Sequence, residues 1–165
     1  CIHRHGPYGK DAVAGMKGSK ELQAHIKELN YDYGLQFAKK GYITCCPDIR
    51  GFGERADERP FPGRDSCNVH FIRGLLFDIP LISLNLWDLK VVLSFMENQS
   101  YIDETRIGCI GLSLGGTLTI HLTAIDDRIK AADIVCALST YKTYAINRAN
   151  FCGHSSYQVY INMAI

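Results

Sequence analysis

The stretch Arg106-Ile107-Gly108-Cys109-Ile110-Gly111-Leu112-Ser113-Leu114-Gly115-Gly116 decides how this chain folds. Its first half is an apolar run of strand length, and Leu114 opens a second apolar segment, Leu114–Ile125, long enough for a helix. The two meet at Gly-x-Ser-x-Gly, residues 111–115. A strand that turns at once into a helix leaves no room for side chains two residues either side of the turn, the condition that Gly111 and Gly115 meet. Ser113 then projects its hydroxyl at the carboxyl end of the strand, where a helix N-terminus favours developing negative charge. Neither Gly-x-Gly-x-x-Gly nor Gly-x-x-x-x-Gly-Lys-Ser/Thr is matched at this turn, so it does not read as a nucleotide-phosphate cradle.

A serine attacking a carbonyl needs backbone donors for the oxyanion that forms. The N–H of Leu114, one residue after Ser113, is the first. The second is expected from the loop after an earlier strand, usually marked by His-Gly. His3-Arg4-His5-Gly6-Pro7-Tyr8-Gly9 occupies that place. With His5-Gly6 as the mark, Pro7 has no N–H to give and Tyr8 supplies the donor. With His3-Arg4 as the mark, Arg standing for Gly, the donor is the N–H of His5. The two registers stay open, His5 being preferred.

Outward from the turn, apolar runs alternate in type. Strands are predicted at Cys1–His3, Tyr42–Pro47, Arg106–Leu112 and within Ile129–Leu138, and helices at 33–41, 83–99 and Leu114–Ile125. Four strands separated by helical segments imply an α/β domain, its parallel sheet covered by helices on both faces. Residues 48–65 read as a loop rich in Gly, Pro and charge. Within it Asp48 and Arg50 are taken as ion-paired braces rather than chemistry, and His70 and Arg73 as structural or pocket-lining. No repeat or linker divides the chain, so residues 1–165 form a single domain.

Composition narrows the function. With 18 Lys+Arg against 17 Asp+Glu the net charge is +1, which lacks the electrostatic footprint of a nucleic-acid binder. An apolar fraction of 47% argues for a packed core rather than disorder. No apolar run reaches the length of a spanning helix, so no membrane partner is expected. Seven cysteines at positions 1, 45, 46, 67, 109, 136 and 152 contain no Cys-x-x-Cys pair. Most sit in apolar runs, where thiols behave as small buried hydrophobes, and a reducing, cytoplasmic setting follows. No metal or cofactor is implied.

Together these motifs resemble the α/β-hydrolase superfamily, most closely serine esterases of the dienelactone hydrolase and acetylxylan esterase branch. The likeness is carried by residues 5–11, Pro47-Asp48-Ile49-Arg50-Gly51-Phe52-Gly53, residues 63–68, Asn85-Leu86-Trp87-Asp88 and residues 106–116. Dienelactone hydrolases proper use Cys as the nucleophile, so Ser113 aligns the chain with the esterases. The resemblance implies a three-layer sandwich, present here in part, with Ser113 as nucleophile toward a small-molecule ester and the amides of Leu114 and of His5 or Tyr8 as the oxyanion hole. An acyl-enzyme would form and be hydrolysed. A peptidase of the prolyl oligopeptidase type and a non-catalytic binding protein on the same fold are the alternatives.

The chain also departs from the pattern. In this fold the acid and the histidine follow the serine on loops after later strands. Residues 139–144 hold no carboxylate, Asp126 and Asp127 end the helix away from the strand ends, and His154 comes too soon after Ser113. The expectation is a central piece of a longer hydrolase, cut at both ends, with its acid and base elsewhere and little activity alone.

Overall fold

The computed structural model describes residues 1–3, 6–56 and 66–140. In chain order its elements are α1 (Gly9–Val13), α2 (Lys20–Leu29), α3 (Tyr33–Lys39), α4 (Ser66–Leu76), α5 (Leu81–Glu97), β1 (Ile107–Leu112), α6 (Leu114–Ile125) and β2 (Ile129–Val135). Short 3-10 turns occupy Gly53–Arg55 and Glu104–Arg106.

β1 and β2 pair in parallel, Gly108 opposite Ala131 through to Leu112 opposite Val135, with one irregularity between Ile107 and Gly108. The helix α6 joins them, as a parallel connection requires. On the other side of β1 lies Ile2. Its N–H donates to the Ile110 carbonyl at 2.8 Å, and its own carbonyl accepts the Leu112 N–H at 3.4 Å. Beyond it, the amino group of Cys1 donates to the Cys45 carbonyl at 2.8 Å. The lateral order is therefore 42–47, 1–3, β1, β2.

Of the four expected strands, two form a ladder among the described residues, and the other two are corrected by the structure. Cys1–His3 makes a single parallel bridge, Ile2 to Gly111. Residues 42–47 run alongside without strand pairing. Only Cys1, Ile2 and His3 of the first run are described, and the second ends at Pro47, which has no N–H for a ladder.

Helices cover both faces. On one, Leu89 and Leu93 of α5 and Leu118 and Leu122 of α6 join Ile2, Ile49, Phe52, Ile107 and Ile129 in the main core. On the other, Ala12, Val13, Leu22 and Tyr31 pack against Cys1, Tyr8, Tyr33, Cys46 and Leu112. Each such buried aliphatic side chain contributes about 1.5–3 kcal/mol. The helix predicted at 83–99 starts two residues earlier, directly after Pro80, whose fixed φ suits the entry to a helix. α5 is apolar nearly all round: Leu89 and Leu93 face inward while Trp87, Val91 and Phe95 are exposed.

The two adjacent cysteines diverge as a strand-like conformation demands. The Cys46 sulfur lies against Gly34 and Val13, whereas Cys45 lines a wide cleft of about 860 Å³ beside Ile107–Ile110. Burial pushes the thiols of Cys45, Cys46 and Cys109 upward. Cys136 departs from the expected buried thiol: it is exposed just past β2, in a left-handed conformation with φ 58°. Among the described residues no single helix is long and apolar enough to cross a membrane.

Candidate active site

The carboxyl ends of the parallel run bring together His3, Asp48, Ser113 and Cys136. Ser113 occupies the turn between β1 and α6 with φ 54° and ψ −110°. That conformation is rare for any residue with a side chain, and such outliers persist only where the surroundings impose them. Here the constraint is steric on both sides. A Cβ on Gly111 would run into the carbonyl of Gly115, and one on Gly115 into the carbonyls of Ile2 and His3. The Ser113 N–H is held by the Val135 carbonyl at 2.7 Å, and its carbonyl accepts the Thr117 N–H at 2.9 Å. β2 thus pins the turn from one side and the Cys1–His3 run closes it from the other.

Ser113 is exposed, and its side chain does not cap the helix it precedes. Leu114, buried, is the first residue of α6, so its N–H lies among the first-turn donors that have no partner within the helix. The positive end of the helix lies at the serine. Deeper in the same helix, Thr119 donates to the Gly115 carbonyl at 2.8 Å and lies 3.4 Å from the Cys109 sulfur, tying the first turn of α6 to β1.

Tyr8 precedes α1, its ring tilted against His25 at 5.0 Å, in the cluster that contains Leu112. His5 and His154 fall outside the described residues, as do 57–65 and the chain from 141 onward. Asp126 is buried at the far end of α6, where hydrogen bonds from Arg128 hold its carboxyl below the usual range. Of the described residues after Ser113, none places a carboxylate or an imidazole in hydrogen bond with the serine hydroxyl.

The loop after 42–47 is braced as expected. Asp48, nearly buried, accepts the Lys10 N–H and the Lys10 ammonium, both at 2.7 Å, and the Glu54 N–H at 3.1 Å. A Cβ on Gly53, at φ +54°, would collide with that carboxylate. Arg50 forms a two-pronged pair with Asp88, at 2.7 and 2.8 Å, and Arg55 adds a third contact at 2.7 Å. Burial raises the Asp88 carboxyl, but hydrogen bonds from Arg50 and Arg55 outweigh it, so its affinity for a proton falls below the ordinary value. Lys10 was not singled out from sequence: it lies 38 positions from Asp48, and no periodicity connects them.

A strand–Gly-x-Ser-x-Gly–helix turn at the carboxyl edge of a parallel sheet with helices on both faces defines an α/β-hydrolase. Residues 23–156 match the family model of acetyl xylan esterase (AXE1), and the chain belongs to that family. It is 30% identical over 154 residues to the Bacillus subtilis protein YtaP, provisionally named a hydrolase, covering 90% of this chain and 47% of that one. Bacillus subtilis YitV, provisionally named an esterase, is 29% identical over 119 residues, covering 72% of this chain and 40% of YitV. A crystal structure of a provisionally assigned acetyl xylan esterase from Bacteroides fragilis superimposes with a TM-score of 0.67 at 26% identity. That match covers 76% of this chain and 34% of the other. The chain thus spans less than half the length of these relatives.

Proposed function

We propose that this chain carries the nucleophile of a serine hydrolase acting on carboxylic esters, with small acetyl esters as the first substrates to try. The observation that supports this most is the strained, exposed Ser113 at the head of α6. Membership of an esterase family points to the same bond. In this reading a base takes the Ser113 proton as Oγ attacks the ester carbonyl. The oxyanion is met by the N–H of Leu114 and by that of His5 or Tyr8. The tetrahedral intermediate collapses, the alcohol leaves with the proton, and water then repeats the sequence on the acyl-enzyme. Neither the acid nor the histidine of this reading is assigned among the described residues.

A fluorophosphonate probe tests it. The full-length protein is expected to be labelled at Ser113, identified by mass spectrometry of the tryptic peptide, and Ser113→Ala to lose both label and ester hydrolysis. Residues 1–165 alone are expected to label far more slowly. Labelling elsewhere in the full-length protein, with Ser113→Ala still hydrolysing esters, would refute the assignment.

A further inference from the structure

Between the serine turn and the braced loop lies one side chain that neither account uses. His3 is 1% exposed, and its Nε2 accepts the backbone N–H of Ile49 at 3.1 Å. An accepting Nε2 carries no proton, so the hydrogen bond assigns the ring to its neutral form with the proton on Nδ1. Phe52 packs edge-on against the ring at 5.6 Å, and the Asp48 carboxylate stands 3.8 Å from Nε2, beyond hydrogen-bond distance. That carboxylate is already engaged by Lys10 and Glu54. The backbone of the same residue faces the other way. The His3 carbonyl lies where a Cβ on Gly115 would fall, at 2.8 Å.

We propose that His3 is a positioning residue for the oxyanion loop. Its ring locks the loop after residues 42–47 to the end of the Cys1–His3 run, while its carbonyl fits against the first turn of α6. The end of the Cys1–His3 run, from which the chain departs before the described residues Gly6–Tyr8, is thereby fixed relative to Ser113. This inference rests on the reading of Ser113 and of the His5 or Tyr8 donor given above. It goes beyond it by assigning a function to a buried imidazole that touches no reacting atom. Its chemistry is that of a neutral acceptor. A donor-only or apolar side chain leaves the Ile49 N–H buried and unpaired, and the two loops lose their common anchor.

The test uses the full-length protein with p-nitrophenyl acetate as substrate. His3→Leu removes the acceptor, and His3→Gln returns an acceptor oxygen at similar reach. Displacement of an oxyanion donor acts on the transition state more than on the bound substrate. In His3→Leu, kcat is therefore expected to fall about ten- to a hundredfold while KM moves by less than about twofold. His3→Gln is expected to recover most of kcat. A His3→Leu protein that melts at lower temperature yet keeps its kcat overturns the proposal. Should His3→Leu fail to fold, nitrogen-15 NMR of the unsubstituted protein decides: an unprotonated Nε2 supports the inference, and a protonated one overturns it. Ser113→Ala separates the levels. If it retains activity, the reading of Ser113 fails and the proposal with it; if it is inactive while His3→Leu keeps its kcat, the positioning role alone fails.

Discussion

Ser113 concentrates the local cost of the fold in one residue. Its φ of 54° with ψ −110° places a side chain where glycine alone is at ease, a penalty of about 1–3 kcal/mol at such positions. Ser113→Gly removes the Cβ without touching the turn's hydrogen bonds to Val135 and Thr117. The variant is expected to gain about 1–3 kcal/mol in stability and to lose all ester hydrolysis, as read by urea denaturation and by assay in the full-length protein. Stability that falls in step with activity would mean that the turn is held by the hydroxyl rather than in spite of it. At this scale the sequence was informative because the turn's demands are steric. Gly111 and Gly115 exclude side chains for a reason that can be stated before any coordinates exist, and the contacts of both follow that reason.

Elements were legible in proportion to how much of their character is local. α6 begins and ends where its apolar run does, and β1 follows the run before the serine. α2 escaped notice because its ten residues are mostly polar, with only Leu22 buried. Its signals were present all the same: Ser19 caps the start by accepting the Leu22 N–H at 3.2 Å, and Asn30 ends it in the left-handed region at φ 48°. Residues 42–47 look like a strand by composition, but pairing is a property of neighbours, which composition does not reveal. α6 itself is held by burial. Leu118 is fully enclosed between β1 and α5, so Leu118→Ala is expected to destabilise the protein by about 2–5 kcal/mol. Chemical denaturation would measure it, and a loss below about 0.5 kcal/mol, typical of a surface site, would contradict the packing described.

On the scale of the molecule, two clusters of charge join segments far apart in sequence. Asp88 binds Arg50 and Arg55 across the loop at the carboxyl edge, and Asp126 with Arg128 ties the end of α6 to Glu97 of α5. Both carboxyls have proton affinities lowered by folding. A lowered folded-state value means that the unfolded chain binds protons more readily. The stabilisation is therefore complete above the ordinary carboxylate range near pH 4 and is lost as the pH falls through the lower, folded-state values. Melting temperature is expected to drop on acidification below about pH 4, and to drop less in Asp88→Asn, whose pair is already absent. An unchanged slope in that variant would remove Asp88 from the account. What sequence could not supply at this scale was the partner of each charge. The pairs that matter lie 38 and 31 positions apart, Arg50 with Asp88 and Arg128 with Glu97.

The bridge between Ile2 and Gly111 has a consequence for how the protein reaches its native state. It joins segments more than about a hundred positions apart, and contacts of such separation are entropically late in folding. Until they meet, Gly115 has no carbonyls from Ile2 and His3 against it, and nothing on that side holds the serine turn in its rare conformation. β1, α6 and β2 can assemble early as a local unit, since α6 links two neighbouring strands. A chain caught at that stage would have most of its helices and its short ladder but a relaxed Ser113. Competence for chemistry would thus arrive with the last long-range closure, well after the bulk of the backbone has found its place.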